Sequence, residues 1–186
     1  MRILMIGDVV GRPGRRAVHE FVPALRSELG LDLVTANGEN SAAGFGITQS
    51  TAQELLDSGV DVITTGNHVW DRKDFMPYLN REERVLRPLN YPSRAPGKGT
   101  VVAPSRAQVP VAVVSLQGRT NMASTDCPFR LGRSTIKRLK DETPIVFVDF
   151  HAEATAEKVA MGWHLDGMAS AVIGTHTHVQ TADERI

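Results

Sequence analysis

Three features of this sequence predict an α/β fold. Short apolar runs alternate with amphipathic stretches from the first residue onward, as buried parallel strands joined by crossover helices do. Glycines and helix-capping residues punctuate the boundaries between these stretches. The 186 residues, 41% of them hydrophobic, suffice for one domain, 1–186, with its own core.

Arg2 to Gly7 reads as the first strand, followed by a turn at Gly11 to Gly14. Arg15 to Leu29 carries Val18, Phe21, Val22, Leu25 and Leu29 at helical spacing and is stopped by Gly30. Leu31 to Ala36 is a second strand, ahead of a glycine-rich loop that runs through Gly46. Thr48 caps a helix over Gln49 to Ser58, Gly59 ends it, and Val60 to Thr64 is the third strand. Asp71 to Leu79 reads as another helix. Five prolines between Val85 and Pro110 predict irregular chain with one strand near Gly99 to Ala103. Val111 to Leu116 is a strand, Leu131 to Leu139 a helix, Ile145 to Phe150 a strand, Ala154 to His164 a helix and Ala169 to Ile173 the last strand.

Composition excludes several function classes. Lysine plus arginine equal aspartate plus glutamate at 21 each, so no overall basic field exists to hold a long polyanion, and stable nucleic-acid binding is not expected. The single cysteine, Cys127, can form neither an internal disulfide nor a thiolate cluster, so any metal must sit on nitrogen and oxygen. The apolar run Ile3 to Ile6 is too short for a signal-peptide core, and no stretch reaches the roughly 20 apolar residues that cross a bilayer. No membrane association is expected, and a cytoplasmic location is the default.

The informative polar residues fall at strand ends. The first strand leads to Asp8, the second to Glu39 and Asn40, the third to Asn67 and His68, a later one to His151 and the last to His176 and His178. In an open parallel sheet these carboxyl ends form the edge where ligands bind. Each residue taken alone has an ordinary reading: Asp8 as a turn or cap, Glu39 and Asn40 as solvated loop, Asn67 after Gly66 as a turn dipeptide, His151 as an interior histidine, and His176 and His178 as flanks of a loop. Their conjunction argues otherwise, because independent loop residues have no reason to be metal-competent at strand end after strand end. Two divalent ions held about 3.5 to 4 Å apart need a bridging carboxylate, neutral imidazoles and further oxygen donors. Asp8, Glu39, Asn67, His151, His176 and His178 supply that mixture, and without thiolate it points to iron, manganese or catalytic zinc. His19 and His164 lie within predicted helices and are assigned no role.

Five motifs carry a resemblance: Ile6-Gly7-Asp8-Val9-Val10-Gly11, Asn37-Gly38-Glu39-Asn40, Gly66-Asn67-His68-Val69-Trp70-Asp71, Asp149-Phe150-His151-Ala152-Glu153-Ala154-Thr155 and Gly174-Thr175-His176-Thr177-His178-Val179-Gln180-Thr181. Together the chain resembles the YmdB-type calcineurin-like metallophosphoesterases over essentially its whole length. The resemblance implies an α/β/β/α sandwich of mostly parallel sheets flanked by helices, and a two-metal phosphodiesterase acting on cyclic nucleotides, with 2′,3′-cyclic nucleotides as the substrate class. It assigns Asp8, Glu39, Asn40 and His178 to one ion and Glu39, Asn67, His151 and His176 to the other. Glu39 is then the bridge and His68 the catalytic histidine. The wider superfamily begins with aspartate, any residue, then histidine and bridges its metals with aspartate; here Val10 stands at that histidine position and Glu39 replaces the aspartate. Members also run some tens of residues beyond the equivalent of Ile186, so a C-terminal segment completing the sheet system is expected.

The implied chemistry is attack on phosphorus by hydroxide generated at the two cations, with His68 protonating the leaving ribose oxygen. Arg12, Arg15, Arg16 and Arg119 are weaker candidates for holding phosphate, against the ordinary reading of a basic helix face. Neither a P-loop nor a dinucleotide fingerprint is present: Gly7 and Gly11 lack the following lysine and hydroxyl residue, and Gly44-Phe45-Gly46 lacks a third glycine. A regulatory or nucleotide-sensing protein with incidental hydrolysis is the competing reading, and a metal-dependent amide hydrolase a third. Phe75 to Leu79 reads either as an exposed apolar segment that packs against a second copy, giving a homo-oligomer, or as a buried helix.

Overall fold

The computed structural model describes residues 1–186. Strands β1 (Ile3–Asp8), β2 (Leu33–Asn37), β3 (Val62–Thr64) and β4 (Val85–Leu86) form a parallel sheet in that order. Strands β5 (Thr100–Ala103), β6 (Val111–Gln117), β7 (Ile145–His151) and β8 (Ala171–Thr175) form a second, in which only β5 runs antiparallel to its neighbour. Helices α1 (Gly11–Glu28), α2 (Gln49–Asp57) and α3 (Met76–Arg81) belong with the first sheet, α4 (Pro128–Leu139) and α5 (Thr155–Leu165) with the second.

Side-chain alternation builds the layers. On β2, Val34 and Ala36 join Val18 and Val22 of α1 and Ala52, Leu55 and Leu56 of α2 in one buried cluster, while Leu33 points the other way. On β6 and β7, Ala112, Val114, Leu116, Val146, Val148 and Phe150 pack on Ile136 and Leu139 of α4 and Met161 and Leu165 of α5. The opposite faces meet in a third cluster, where Leu33, Val62 and Leu86 of one sheet touch Ala103, Val111, Val113 and Phe147 of the other. The result is the four-layer α/β/β/α sandwich that the resemblance implied.

Along each inner face the residues change character. Leu33 gives way to Thr35 and Asn37, Val113 to Ser115 and Gln117, and Phe147 to Asp149 and His151. The strands that carry these series are parallel, so the apolar halves of their inner faces bond the sheets while the polar halves converge at one edge. A register shift in β1 adds to this: Ile6 pairs with Ala36 but Asp8 with Asn37, so a bulge turns Asp8 to the inner face where Gly7 would otherwise stand.

Three elements differ from the sequence reading. Gly11 to Gly14 is the first turn of α1, because Pro13 there needs no N–H donor and tolerates the start of a helix. Within the segment read as a helix over Asp71 to Leu79, Lys73–Phe75 is a tight turn that follows another at Asn67–Trp70, and α3 begins only at Met76, its start set by Pro77. Strand β4 lies within chain read as irregular; two residues carry no periodicity to detect. Thr48 does cap α2: its hydroxyl accepts the Thr51 N–H at 3.2 Å while the Thr51 hydroxyl accepts the Thr48 N–H at 3.0 Å. Phe75, Tyr78 and Leu79 are buried in the core of their own chain, which removes the exposed apolar segment from which an oligomer was argued. No helix is long and apolar enough to cross a membrane.

Candidate metal centre

The polar edge brings all eight predicted residues to one region. His151, at the end of β7 and fully buried, is its hub: Nε2 lies 2.9 Å from Glu39 Oε1, 3.1 Å from Asn67 Oδ1 and 3.0 Å from His176 Nδ1. Beside it, His178 Nε2 lies 3.5 Å from Asp8 Oδ1 and 3.3 Å from Asn40 Nδ2, and Asn40 Nδ2 is 3.5 Å from Glu39 Oε1. Glu39 Oε1 therefore borders both groups of atoms. Its second oxygen, Oε2, accepts the His68 backbone N–H at 2.9 Å.

The donor chemistry fits a cation. A carboxylate oxygen, an amide oxygen and two imidazole nitrogens gather within hydrogen-bond distance, and the two oxygens have only lone pairs to offer. The second nitrogen of each imidazole is engaged elsewhere: His151 Nδ1 lies 2.9 Å from Thr175 Oγ1 and His176 Nε2 lies 2.9 Å from Glu153 Oε2. Separations near 3.0 Å match adjacent ligands around a cation with bonds of about 2.1 Å. Glu39, His151 and His176 together present one ligand atom each within 4.8 Å of one another.

The electrostatics agree. Burial pushes the Glu39 carboxyl up, but the hydrogen bond and charge of His151 and the His68 N–H outweigh it and hold the pKa below its usual value. Burial likewise disfavours charge on His151, yet Glu39, with Asp8 and Asp149 behind it, raises the imidazole above its ordinary pKa. His176 is lowered, by burial first and by His151 next. Burial raises Asp149, against the His151 charge and the Thr64 and Thr175 hydroxyls. A dense set of negative oxygens facing imidazole nitrogens is a site that favours positive charge.

Local backbone explains the placement. His176 and His178 both adopt positive φ, 94° and 52°, an arrangement that L residues avoid and that must be held from outside. Asp8 Oδ2 accepts the His176 N–H at 2.9 Å, and Lys158 Nζ donates to Thr177 Oγ1 at 3.0 Å between the two histidines. Gly66 is required by contact, since a Cβ there would stand 2.0 Å from His151 Cδ2. His68 sits at the rim, its Nδ1 2.8 Å from Asp71 Oδ2 and its ring edge-on to Phe45 at 5.4 Å.

Sequence reading left several of these residues unassigned. Asn37, Thr64, Asp149, Thr175, Glu153, Asp71 and Lys158 all touch the centre's ligands or support them; the signal was present in that most lie inside the five motifs, but spacing alone does not separate a ligand from its support. Arg15 is absorbed structurally, bonded to Glu54 at 2.6 Å and to the Ser41 carbonyl, so it is not a free phosphate-binding group. Arg12, Arg16 and Arg119 are exposed.

Comparisons with known proteins show what the chain as a whole is similar to. A 2′,3′-cyclic-nucleotide 2′-phosphodiesterase of Bacillus subtilis is 48% identical over 186 residues, all of this chain and 70% of that protein. A crystal structure of a hypothetical protein from Thermus thermophilus superposes with a TM-score of 0.91 at 44% identity, over 98% of this chain and 70% of the other. A phosphatase structure from Mycoplasma pneumoniae gives 0.89 at 34% identity, over 99% and 66%. The family model for YmdB-like proteins matches residues 4–186, and the chain belongs to the YmdB-like family.

Proposed function

We propose that this chain is a phosphodiesterase that opens 2′,3′-cyclic nucleotides at a two-metal centre. The observation that carries the reading is the convergence of Glu39, Asn67 and His176 ligand atoms on His151 Nε2, adjoining the Asp8, Asn40 and His178 group. Asp8, Glu39, Asn40 and His178 would hold one ion, with the Asn40 amide turned to present oxygen. Glu39, Asn67, His151 and His176 would hold the other, and Glu39 Oε1 would bridge them. Oxygen and imidazole donors without thiolate suit iron or manganese, and zinc also fits. When bound, the two cations supply activated water and neutralise the phosphate oxygens.

The chain's own groups then divide the remaining work. Asp71 engages His68 Nδ1, which fixes the ring and leaves Nε2 free toward the rim. From there His68 donates its proton to the departing ribose oxygen, a poor leaving group as an anion. The substrate is small, and the balanced charge of the chain supplies no field to favour a long nucleic acid.

Single-turnover hydrolysis of a 2′,3′-cyclic nucleotide by metal-loaded protein tests the assignment. His68→Ala should slow the step by about a hundredfold or more with metal content retained. An unchanged rate removes His68 as the acid. Turnover of amide substrates with none of phosphodiesters removes the reaction class.

A further inference from the structure

The loop that follows Glu39 and Asn40 carries an aromatic side chain that the fold leaves in water beside the centre. Phe45 is 64% exposed, and it meets the His68 ring at 5.4 Å between centroids and 71° between planes. An edge-on contact of that kind takes up little of the phenyl surface and leaves the rest open. The loop itself is tied down. Gly44 N–H donates to the Asn40 carbonyl at 3.1 Å, Phe45 N–H to that of Ala42 at 3.3 Å and Ala42 N–H to that of Gly46 at 3.0 Å. Gly46, at a φ of 78°, lies so close to Arg72 that a Cβ there would stand 2.8 Å from its Cγ. Backbone bonds and close approach therefore hold Phe45 where it is. The other exposed aromatics, Phe21 and Trp163, lie along α1 and α5, where single apolar residues on a helix surface are ordinary. Phe45 differs from them in standing against the rim histidine.

We propose that Phe45 is the platform on which the nucleobase of the substrate stacks. The inference rests on the phosphodiesterase reading and extends it from the phosphate to the base. In a 2′,3′-cyclic nucleotide the ribose carbon that bears the base adjoins the carbon that bears the 2′ oxygen. A ribose oxygen beside His68 therefore brings the base within reach of the ring that touches His68. A phenyl ring offers no hydrogen bond, and every base has a π face, so the platform selects for a base without reading which one it is. Purines, with two fused rings, overlap it more than pyrimidines do and should bind tighter. Stacking takes place away from the reacting phosphorus and contributes alike to the ground state and the transition state. Its loss therefore acts on KM far more than on kcat.

Steady-state kinetics on a pair of substrates separate a platform from a mere support of the His68 ring. The pair is adenosine 2′,3′-cyclic phosphate and methyl riboside 2′,3′-cyclic phosphate, which has the same reacting group and a methyl group in place of the base. Wild type should prefer the adenosine substrate. Phe45→Ala should cut that preference, the ratio of the kcat/KM values, by about 5- to 150-fold, chiefly through KM for the adenosine substrate. Phe45→Trp, which restores a platform, should keep the ratio within about threefold of wild type. Calorimetric binding of adenosine 3′-monophosphate to metal-loaded protein should weaken in Phe45→Ala by a similar factor, with no turnover involved. If Phe45→Ala leaves the ratio unchanged, whether or not both rates fall together, the platform is overturned while the phosphodiesterase stands. If wild type opens neither substrate, the phosphodiesterase reading falls and the platform with it.

Discussion

His176 shows how much one carboxylate decides. Glu153 accepts from its Nε2 at 2.9 Å, which leaves Nδ1 to face His151 Nε2 at 3.0 Å. Removing that acceptor frees the ring to rotate and to change tautomer. Glu153→Ala should therefore lower metal affinity by about tenfold or more, and Glu153→Gln, which keeps an acceptor oxygen, should lose less. Metal titration of the two variants checks this, and equal losses would contradict it. At this scale the sequence was legible for the residues that gather at the centre and much less so for those that support them. Asp8, Glu39, His151 and the paired histidines stand at strand ends, a position that a sequence exposes. Glu153, Asp149 and Thr175 sit within two residues of ligands, and which of them turns inward depends on strand pleat and loop backbone, including the positive φ at His176 and His178.

At the scale of elements, the centre depends on close approach and on one irregularity. The bulge after Ile6 turns Asp8 inward, so β1 contributes a carboxylate to the site where a regular strand would contribute Gly7. Gly66 precedes the turn that carries Asn67 and His68 and lies flat against the His151 ring. Gly66→Ala would put a methyl group 2.0 Å from His151 Cδ2, and neither the buried ring nor the backbone can yield that much. We expect it to destabilise the fold by about 1 to 3 kcal/mol or more through overpacking, and to reduce metal uptake in whatever folds. Thermal melting with metal analysis reads both, and a stable variant with full metal content would contradict the packing argument. The sequence marked Gly66 only as a turn residue, because a steric requirement set by His151, far along the chain, has no local signature. The same limit hid β4, which exists because β3 offers it an edge to pair with. The tight turns before α3 were hidden for a different reason: the apolar spacing there looks helical, and only Pro77 marks where the helix begins.

Over the whole molecule, the apolar-to-polar gradient on the inner faces joins fold to function. Leu33, Val62, Val113 and Phe147 bond the two sheets at one end, and Asn37, Thr64, Ser115 and Asp149, further along the same strands, carry the polar end. The α/β class and most strands were legible because both faces of a buried strand must be apolar over much of its length. The stacking of two sheets was carried by the resemblance, since β6 and β7 read alike whether helices cover both faces or a second sheet covers one. Everything attributed to the centre depends on two cations sharing Glu39. A crystal of the Mn2+-loaded protein measured near the manganese absorption edge tests that most directly. The account predicts two anomalous peaks about 3.5 to 4 Å apart, both beside Glu39, one also reached by Asp8, Asn40 and His178 and the other by Asn67, His151 and His176. A single peak, or peaks away from Glu39, would contradict it.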